Sequence, residues 1–306
     1  MSLTPIRCVT VLGKGGVGRT TIAIGVARRL ASQGKRVLLL ELSGAQDVSR
    51  ALGLPEAGYK PRTLEPGLEH ACYQASTCLA DFGKTKLGIP TLLTQFFDAR
   101  PVRAFLEAIP GLNTLLQLGK MAHDLGLGTD TPARYDTCVI DAPATGHGLT
   151  MLEAARTMRQ LTRVGPFTEL ARPIETLLEG PTAHTIAVTT PEVLPLEETE
   201  RLINALEDIG QGPTCVVLNR APRPLPPEEP TWSALASSRA LSAYPGWQRV
   251  GEHLWGSAMR CHEAHRLFAT ATRPMLTVSE ARHGLQNLDA HQHVLRDLTD
   301  IFGERP

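Results

Sequence analysis

The chain has 306 residues, 42% of them hydrophobic and 20% charged, enough to bury a sizeable core. Lys+Arg 31 balance Asp+Glu 31, so no general attraction draws the chain to nucleic acid or to an anionic membrane, and no nucleic-acid partner is expected. No stretch has the length and apolarity of a bilayer span, Met1 to Arg7 lacks the apolar core of a signal peptide, and the six scattered cysteines read as reduced thiols, so a cytoplasmic protein is expected.

The first apolar run, Ile6 to Leu12, predicts a strand. It leads directly into Gly13-Lys14-Gly15-Gly16-Val17-Gly18-Arg19-Thr20-Thr21, and a helix over Thr20 to Gln33 follows, with Ile22, Val26 and Leu30 on one face and a stop at Gly34. A strand, a glycine-rich loop and a helix N-terminus in that order form a phosphate cradle. Backbone N–H groups turn inward onto an anion, and the helix end adds partial positive charge. Thr20 stands where a hydroxyl would ligate magnesium. A lysine, Lys14, sits early in the loop, and Arg19 occupies the place where the usual loop lysine stands.

Arg36 to Leu42 is a second strand, nearly continuous in apolar residues, as in parallel strands covered on both faces. Glu69 to Gln74 reads as a short strand. From Ala75 to about Gly128 the pattern is helical, with Leu92, Phe96, Phe105, Leu115, Leu118 and Met121 among its apolar positions. This predicts a helical insertion at about 75–130. Tyr135 to Ile140 is another buried strand, closed by Asp141-Ala142-Pro143-Ala144-Thr145-Gly146-His147. An aspartate at the carboxyl end of a buried strand is placed to hold a magnesium shell. Helices are expected over Gly148 to Thr162, Pro195 to Ile209 and Trp247 to Ala271, and strands over Thr185 to Thr190, Thr214 to Asn219 and Met275 to Val278. A closing helix is expected over Leu288 to Phe302. Arg220 to Thr231 holds five prolines and reads as an extended loop. Strands alternating with helices predict an α/β fold, a doubly wound parallel sheet of the P-loop NTPase type, with residues 1–306 as one domain carrying the helical insertion.

The lysine-early loop resembles the deviant P-loop of the ATPase family that holds MinD, ParA, nitrogenase iron protein, the arsenite-pump ATPase and the tail-anchored-protein targeting factor. The run Asp141 to His147 is similar to the second switch of the arsenite-pump and targeting branch, written D-T-A-P-T-G-H there. Pro191 to Thr199, Pro110-Gly111-Leu112 and Pro274 to Val278 resemble the same branch. The resemblance implies ATP or ADP with magnesium as ligands, bound by Gly13, Lys14, Gly15, Gly16, Val17, Gly18, Arg19, Thr20 and Thr21. It also implies a γ-phosphate contact from the Gly146 N–H, magnesium held at Thr20 and, through water, at Asp141, and an adenine contact from Asn219. It implies that Lys14 reaches across a dimer interface to the partner's nucleotide. The dimer would be a homodimer or a heterodimer with a paralogue, with a client protein as a further partner.

Two positions depart from that branch. Aligned through Val37-Leu38-Leu39-Leu40, the catalytic aspartate of the first switch is replaced by Ser43, and a hydroxyl is no carboxylate base. Glu41 lies two residues back, about 6–7 Å along an extended strand, and reads as a poor substitute. Arg19 keeps the charge of a lysine in a planar fork that fits a phosphate loop differently. The function expected is a nucleotide-gated dimeric ATPase with weak hydrolysis. Lys14, Arg19 and Ser43 are the candidate catalytic positions, and the alternative is a nucleotide-binding subunit, catalytically impaired by the changes at Arg19 and Ser43, that completes or regulates an active paralogue. Cys-x-x-Cys is absent, which argues against a zinc clamp or an iron–sulfur cluster. Cys261 and His265 share a helix face, as a buried thiol beside a surface histidine.

Overall fold

Side-chain period and burial agree along every central strand of the molecule. In the computed structural model, which describes residues 6–86, 108–143, 145–162, 164–221, 245–270 and 273–279, eight strands form one sheet. They are β1 (Cys8–Gly13), β2 (Val37–Glu41), β3 (Arg62–Glu65), β4 (Leu68–Cys72), β5 (Thr137–Asp141), β6 (Ala183–Thr189), β7 (Cys215–Ala221) and β8 (Met275–Ser279). Their order is β3-β4-β2-β5-β1-β6-β7-β8, parallel throughout except for β3, which runs antiparallel to β4 at the edge.

The helices are α1 (Arg19–Ser32), α2 (Asp47–Ala51), α3 (Ala75–Lys86), α4 (Leu112–Asp124), α5 (Thr145–Leu161), α6 (Pro166–Leu178), α7 (Val193–Asp208) and α8 (Pro245–Phe268). Strand residues alternate between two cores. Val9, Val11, Leu39, Val139 and Val188 face α1 and α2, where they meet Ile22, Val26, Leu30 and Val48. Leu12, Leu38, Leu40, Cys138 and Ile140 face the opposite layer, where α3, α4, α5 and α6 contribute Phe82, Leu115, Met121, Leu152 and Ile174. The same layer continues under α7 and α8, with Ile203 and Phe268 on Ala187 and Val216. Both faces of the parallel sheet are thus covered, as continuous apolar runs require.

The strands and helices expected on the described residues are present, with ends shifted by a few residues. Three elements went unread. β3 carries Arg62-Thr63-Leu64-Glu65, too short and charged to show alternation, and a register shift breaks its pairing between Thr63 and Glu65. α2 has five residues. α6 carries Pro166 at its start and Pro173 inside, and proline ordinarily argues against a helix interior. The middle of the helical insertion, the proline-rich loop beyond Ala221 and the closing Leu288 to Phe302 segment lie outside the described residues.

Candidate functional site

The parallel sheet puts the carboxyl ends of β1, β2, β5, β6 and β7 on one edge, where ligands of such sheets bind. β1 ends at Gly13, and the loop Lys14 to Gly18 leads into α1. Two glycines are required by close approach. A Cβ on Gly13 would lie 2.5 Å from the Val188 carbonyl oxygen, and one on Gly18 would lie 2.2 Å from the Asn219 amide nitrogen. Gly18 also has φ +92°, a left-handed conformation that favours glycine. At Gly15 and Gly16, by contrast, an added Cβ meets nothing within 4 Å. The inner side of the loop is braced by β6 and β7, and its outer side is open.

Asn219 is the β7 end of that brace. It is 6% exposed, and its Nδ2 donates to the Val17 carbonyl oxygen at 2.8 Å. The pairing of β7 with β8 shifts register between Leu218 and Ala221, and Arg220 in the shift has φ +56°. Such a bulge re-aims the strand end. The expected adenine contact and the observed brace share one amide group.

Thr20, in the first turn of α1, donates its hydroxyl to Asp141 Oδ2 at 2.7 Å. Asp141, 4% exposed, closes β5, and its Oδ1 is buried without a hydrogen-bond partner. Burial pushes its carboxyl up to about 6. The Thr20 hydrogen bond and Arg19 act against this, and the nearby carboxylates of Glu41 and Asp47 reinforce it. An orphaned carboxylate oxygen beside a threonine hydroxyl at the foot of a phosphate loop is an oxygen donor set that suits magnesium, which takes few protein ligands and completes its shell with phosphate and water. Among the described residues no three His, Cys, Asp or Glu side chains gather as a metal cage, and magnesium held with nucleotide needs none. The six cysteines are all buried and free. Burial pushes the Cys8 and Cys215 thiols up to about 12, which makes them core residues rather than thiolate ligands.

Both loop cations already have protein partners. The Lys14 ammonium pairs with the Glu198 carboxylate on α7, although nothing within the loop itself engages it. The Arg19 guanidinium donates to the carbonyl oxygen of Ala142, the first residue after Asp141. Arg19 therefore ties the loop to the segment that resembles the second switch. Gly146 and His147 are exposed in the first turn of α5, where the Gly146 N–H is one of the helix-end donors.

The first-switch segment differs most from its sequence reading. Ser43 is exposed, and its hydroxyl lies 3.4 Å from Glu41 Oε1, which also accepts the Asp47 N–H at 2.7 Å. Glu41 is therefore not out of reach of position 43, because the chain leaves the extended line of β2 and folds back over the carboxylate. Glu41 is 1% exposed and faces His70, 0% exposed, at 3.6 Å from Oε2, an ion-pair distance and too long for a hydrogen bond. Arg62 meets the other ring nitrogen, Nδ1, at 3.2 Å. Gln46 holds an uncommon φ of +59° while its amide pairs with both the N–H and the C=O of Ala57, at 2.8 and 2.9 Å. Neither the His70 and Arg62 contacts nor Glu198 had a local signal in the sequence.

A doubly wound parallel sheet whose first strand ends in this loop, with a threonine–aspartate pair beneath it, is the architecture of the P-loop NTPase fold. Residues 6–180 match the sequence profile of the anion-transporting ATPases, and the chain belongs to that family. It is similar to the ATPase BagA of Mycobacterium tuberculosis, 29% identical over 82% of this chain and 76% of the relative. It is also similar to the ATPase GET3 of Kluyveromyces lactis, 27% identical over 70% of this chain and 72% of the relative. The arsenical pump-driving ATPase of Acidiphilium multivorum is 26% identical over 79% of this chain and 42% of that protein. Among the described residues no helix is long and apolar enough to cross a membrane.

Proposed function

We propose that the protein is a nucleotide-gated dimeric ATPase, in which ATP with magnesium closes a dimer and slow hydrolysis opens it. The observation that carries this reading is the Thr20–Asp141 hydrogen bond with the orphaned Asp141 oxygen, at the foot of a loop whose outer face is open. In this reading the N–H groups from Gly13 to Thr21 hold the phosphates, and Thr20 and Asp141 hold the magnesium. The bound metal supplies charge neutralisation on the β- and γ-phosphates. Arg19 exchanges the Ala142 carbonyl for a phosphate oxygen, which links nucleotide to the second switch. Lys14 exchanges Glu198 for the partner's nucleotide. The Gly146 N–H meets the γ-phosphate, and Asn219 meets the base once the loop relaxes from it. A client protein would respond to opening and closing of the dimer.

Calorimetric titration with ADP and ATP, each with and without magnesium, tests binding. Heat and a thermal shift at micromolar to millimolar nucleotide are expected, and their absence would overturn the reading. A second reading, a subunit with little turnover that completes an active paralogue, is favoured by Ser43 and by the engagement of Arg19 with Ala142. Under either reading, Ser43→Asp with Arg19→Lys is expected to raise phosphate release from the isolated protein. A wild type already as fast as that variant would remove the grounds for impairment.

A further inference from the structure

We propose that Glu41 acts through the Ser43 hydroxyl, and that the two together orient the attacking water in place of a direct switch aspartate. The inference rests on the reading of this site as one that hydrolyses ATP. Three features carry it. The carboxylate and hydroxyl are in line: Ser43 Oγ lies 3.4 Å from Glu41 Oε1, and the hydroxyl is exposed on the ligand edge of the sheet while the carboxylate behind it is buried. That separation is long for an O–H···O bond, as such contacts commonly are before substrate binds. Glu41 also sits beside Asp141: the two are register partners at the ends of adjacent strands, so both carboxylates point to the same face.

The second feature is how Glu41 is placed. Its Oε1 takes the Asp47 N–H at the start of α2, and its Oε2, which has no hydrogen-bond partner, faces the buried His70 ring at 3.6 Å, an ion-pair distance. Arg62 has only donors, so its 3.2 Å contact makes His70 Nδ1 the acceptor and puts the ring proton on Nε2, toward Glu41. Arg62 is anchored in turn to Ser49 Oγ at 2.9 Å. A cation, a ring and a carboxylate thus form a line from the sheet edge to the first switch. Burial acts to raise the Glu41 carboxyl, but His70 and the backbone N–H groups of Asp47 and Val48 more than offset it, and it is held below its ordinary value. It stays ionised behind the serine.

The third feature is chemical sufficiency. In phosphoryl transfer the transition state is loose, and the group nearest the water has to orient it rather than remove its proton early. Other P-loop enzymes do this with a neutral glutamine. A serine whose O–H points toward a buried carboxylate, and whose oxygen takes one backbone N–H from Ala45 at 3.2 Å, keeps one lone pair for the water and is a better acceptor for that bond. The water oxygen bonds to the γ-phosphorus, the β–γ bridge breaks with its electron pair left on ADP, and the water's protons end on the released phosphate and in solvent. Glu41 and Ser43 gain no proton overall. Glu41 is accordingly a positioning residue, and Ser43 is the group that meets the water.

The test is phosphate release by the full chain under single-turnover conditions, with nucleotide affinity measured separately by calorimetry. Glu41→Gln and Ser43→Ala are each expected to lower the rate constant by a similar factor, on the order of tenfold to a hundredfold, at unchanged Mg-ATP affinity. The double variant should be no slower than either alone, since the two act as a unit. Ser43→Asp puts a carboxylate at the water directly, so Glu41→Gln in that background should cost little. A purely structural role for Glu41 predicts the opposite, an equal loss in both backgrounds, and that result would overturn the proposal. An unchanged rate in Ser43→Ala would also overturn it, and this variant carries the test if Glu41→Gln does not fold. Wild type that binds ATP but releases no more phosphate than Thr20→Ala overturns the relay and leaves nucleotide binding intact. Wild type that binds no nucleotide overturns the reading beneath it.

Discussion

A carboxylate buried beside a hydroxyl, with one oxygen unpartnered, is a poor choice for stability alone. Asp141 lacks a full set of partners, and burial opposes its ionised form. Asp141→Asn keeps the shape and removes the charge. The ligand-free variant is therefore expected to melt at the wild-type temperature or above it, while the nucleotide-induced thermal shift loses its dependence on magnesium. A lower melting temperature with magnesium dependence intact would make Asp141 a structural residue. Thr20, Asp141 and the loop glycines were legible as candidates because their signals are local: residue type, a fixed spacing and a strand boundary. The partners that hold the site were not. Glu198 lies 184 positions from Lys14, Asn219 lies 202 from Val17, and Ala142 lies 123 from Arg19. Only the sheet order brings such pairs together, and a strand period says nothing about which strand is the neighbour. The reach of Glu41 toward position 43 was underestimated for a local reason: a straight-strand distance was applied where the chain turns.

At the scale of the element, the loop has a braced side and an open side, and glycine substitutions should tell them apart. Gly18→Ala forces a left-handed residue against the Asn219 amide and is expected to cost on the order of 1–3 kcal/mol of stability. Gly15→Ala meets no protein atom and should leave the melting temperature nearly unchanged, yet it adds a methyl to the open side of the loop and, if that side holds the phosphates as proposed, should weaken nucleotide binding. Melting curves with calorimetry on both variants check this, and equal loss of stability in the two would contradict the two-sided description. The first-switch segment adds a pH expectation. The folded carboxyl of Glu41 is held below its ordinary 4.5, so its contribution is present above that pH and is lost as pH falls through the lower folded value. The stability gap between wild type and Glu41→Gln should therefore be full at pH 7 and shrink below about pH 4, as read from denaturant midpoints. A gap that widens with acid would reverse the sign. The central strands were legible because parallel strands covered on both faces leave unbroken apolar runs. β3 and α2 were not, because four or five residues hold too few periods, and α6 was hidden by Pro166 and Pro173.

At the scale of the whole molecule, the Lys14–Glu198 pair bears on assembly. Each side chain is about a third exposed, at 35% and 32%. An ion pair so open to water is worth about 0–1 kcal/mol, and salt weakens it further. It can hold the lysine in a resting position without competing strongly against a polyphosphate at a dry interface, where charge pairs are stronger. Opposite changes should follow from its two ends. Lys14→Ala removes the group that would neutralise the partner's nucleotide, so the ATP-dependent dimer should weaken while the monomer melts normally. Glu198→Gln frees the lysine, so dimer formation with a non-hydrolysable ATP analogue should strengthen by up to about fivefold at low salt, the factor that 1 kcal/mol allows, and by less at high salt. Sedimentation of wild type and both variants, with and without nucleotide and at two salt concentrations, separates these outcomes. The zero net charge of the chain sets no long-range barrier to self-association, so a salt effect confined to the nucleotide-bound samples points to this pair rather than to bulk repulsion. If both variants associate as wild type does in every condition, Lys14 is a surface charge with a local partner, and the dimer, if one forms, is held elsewhere.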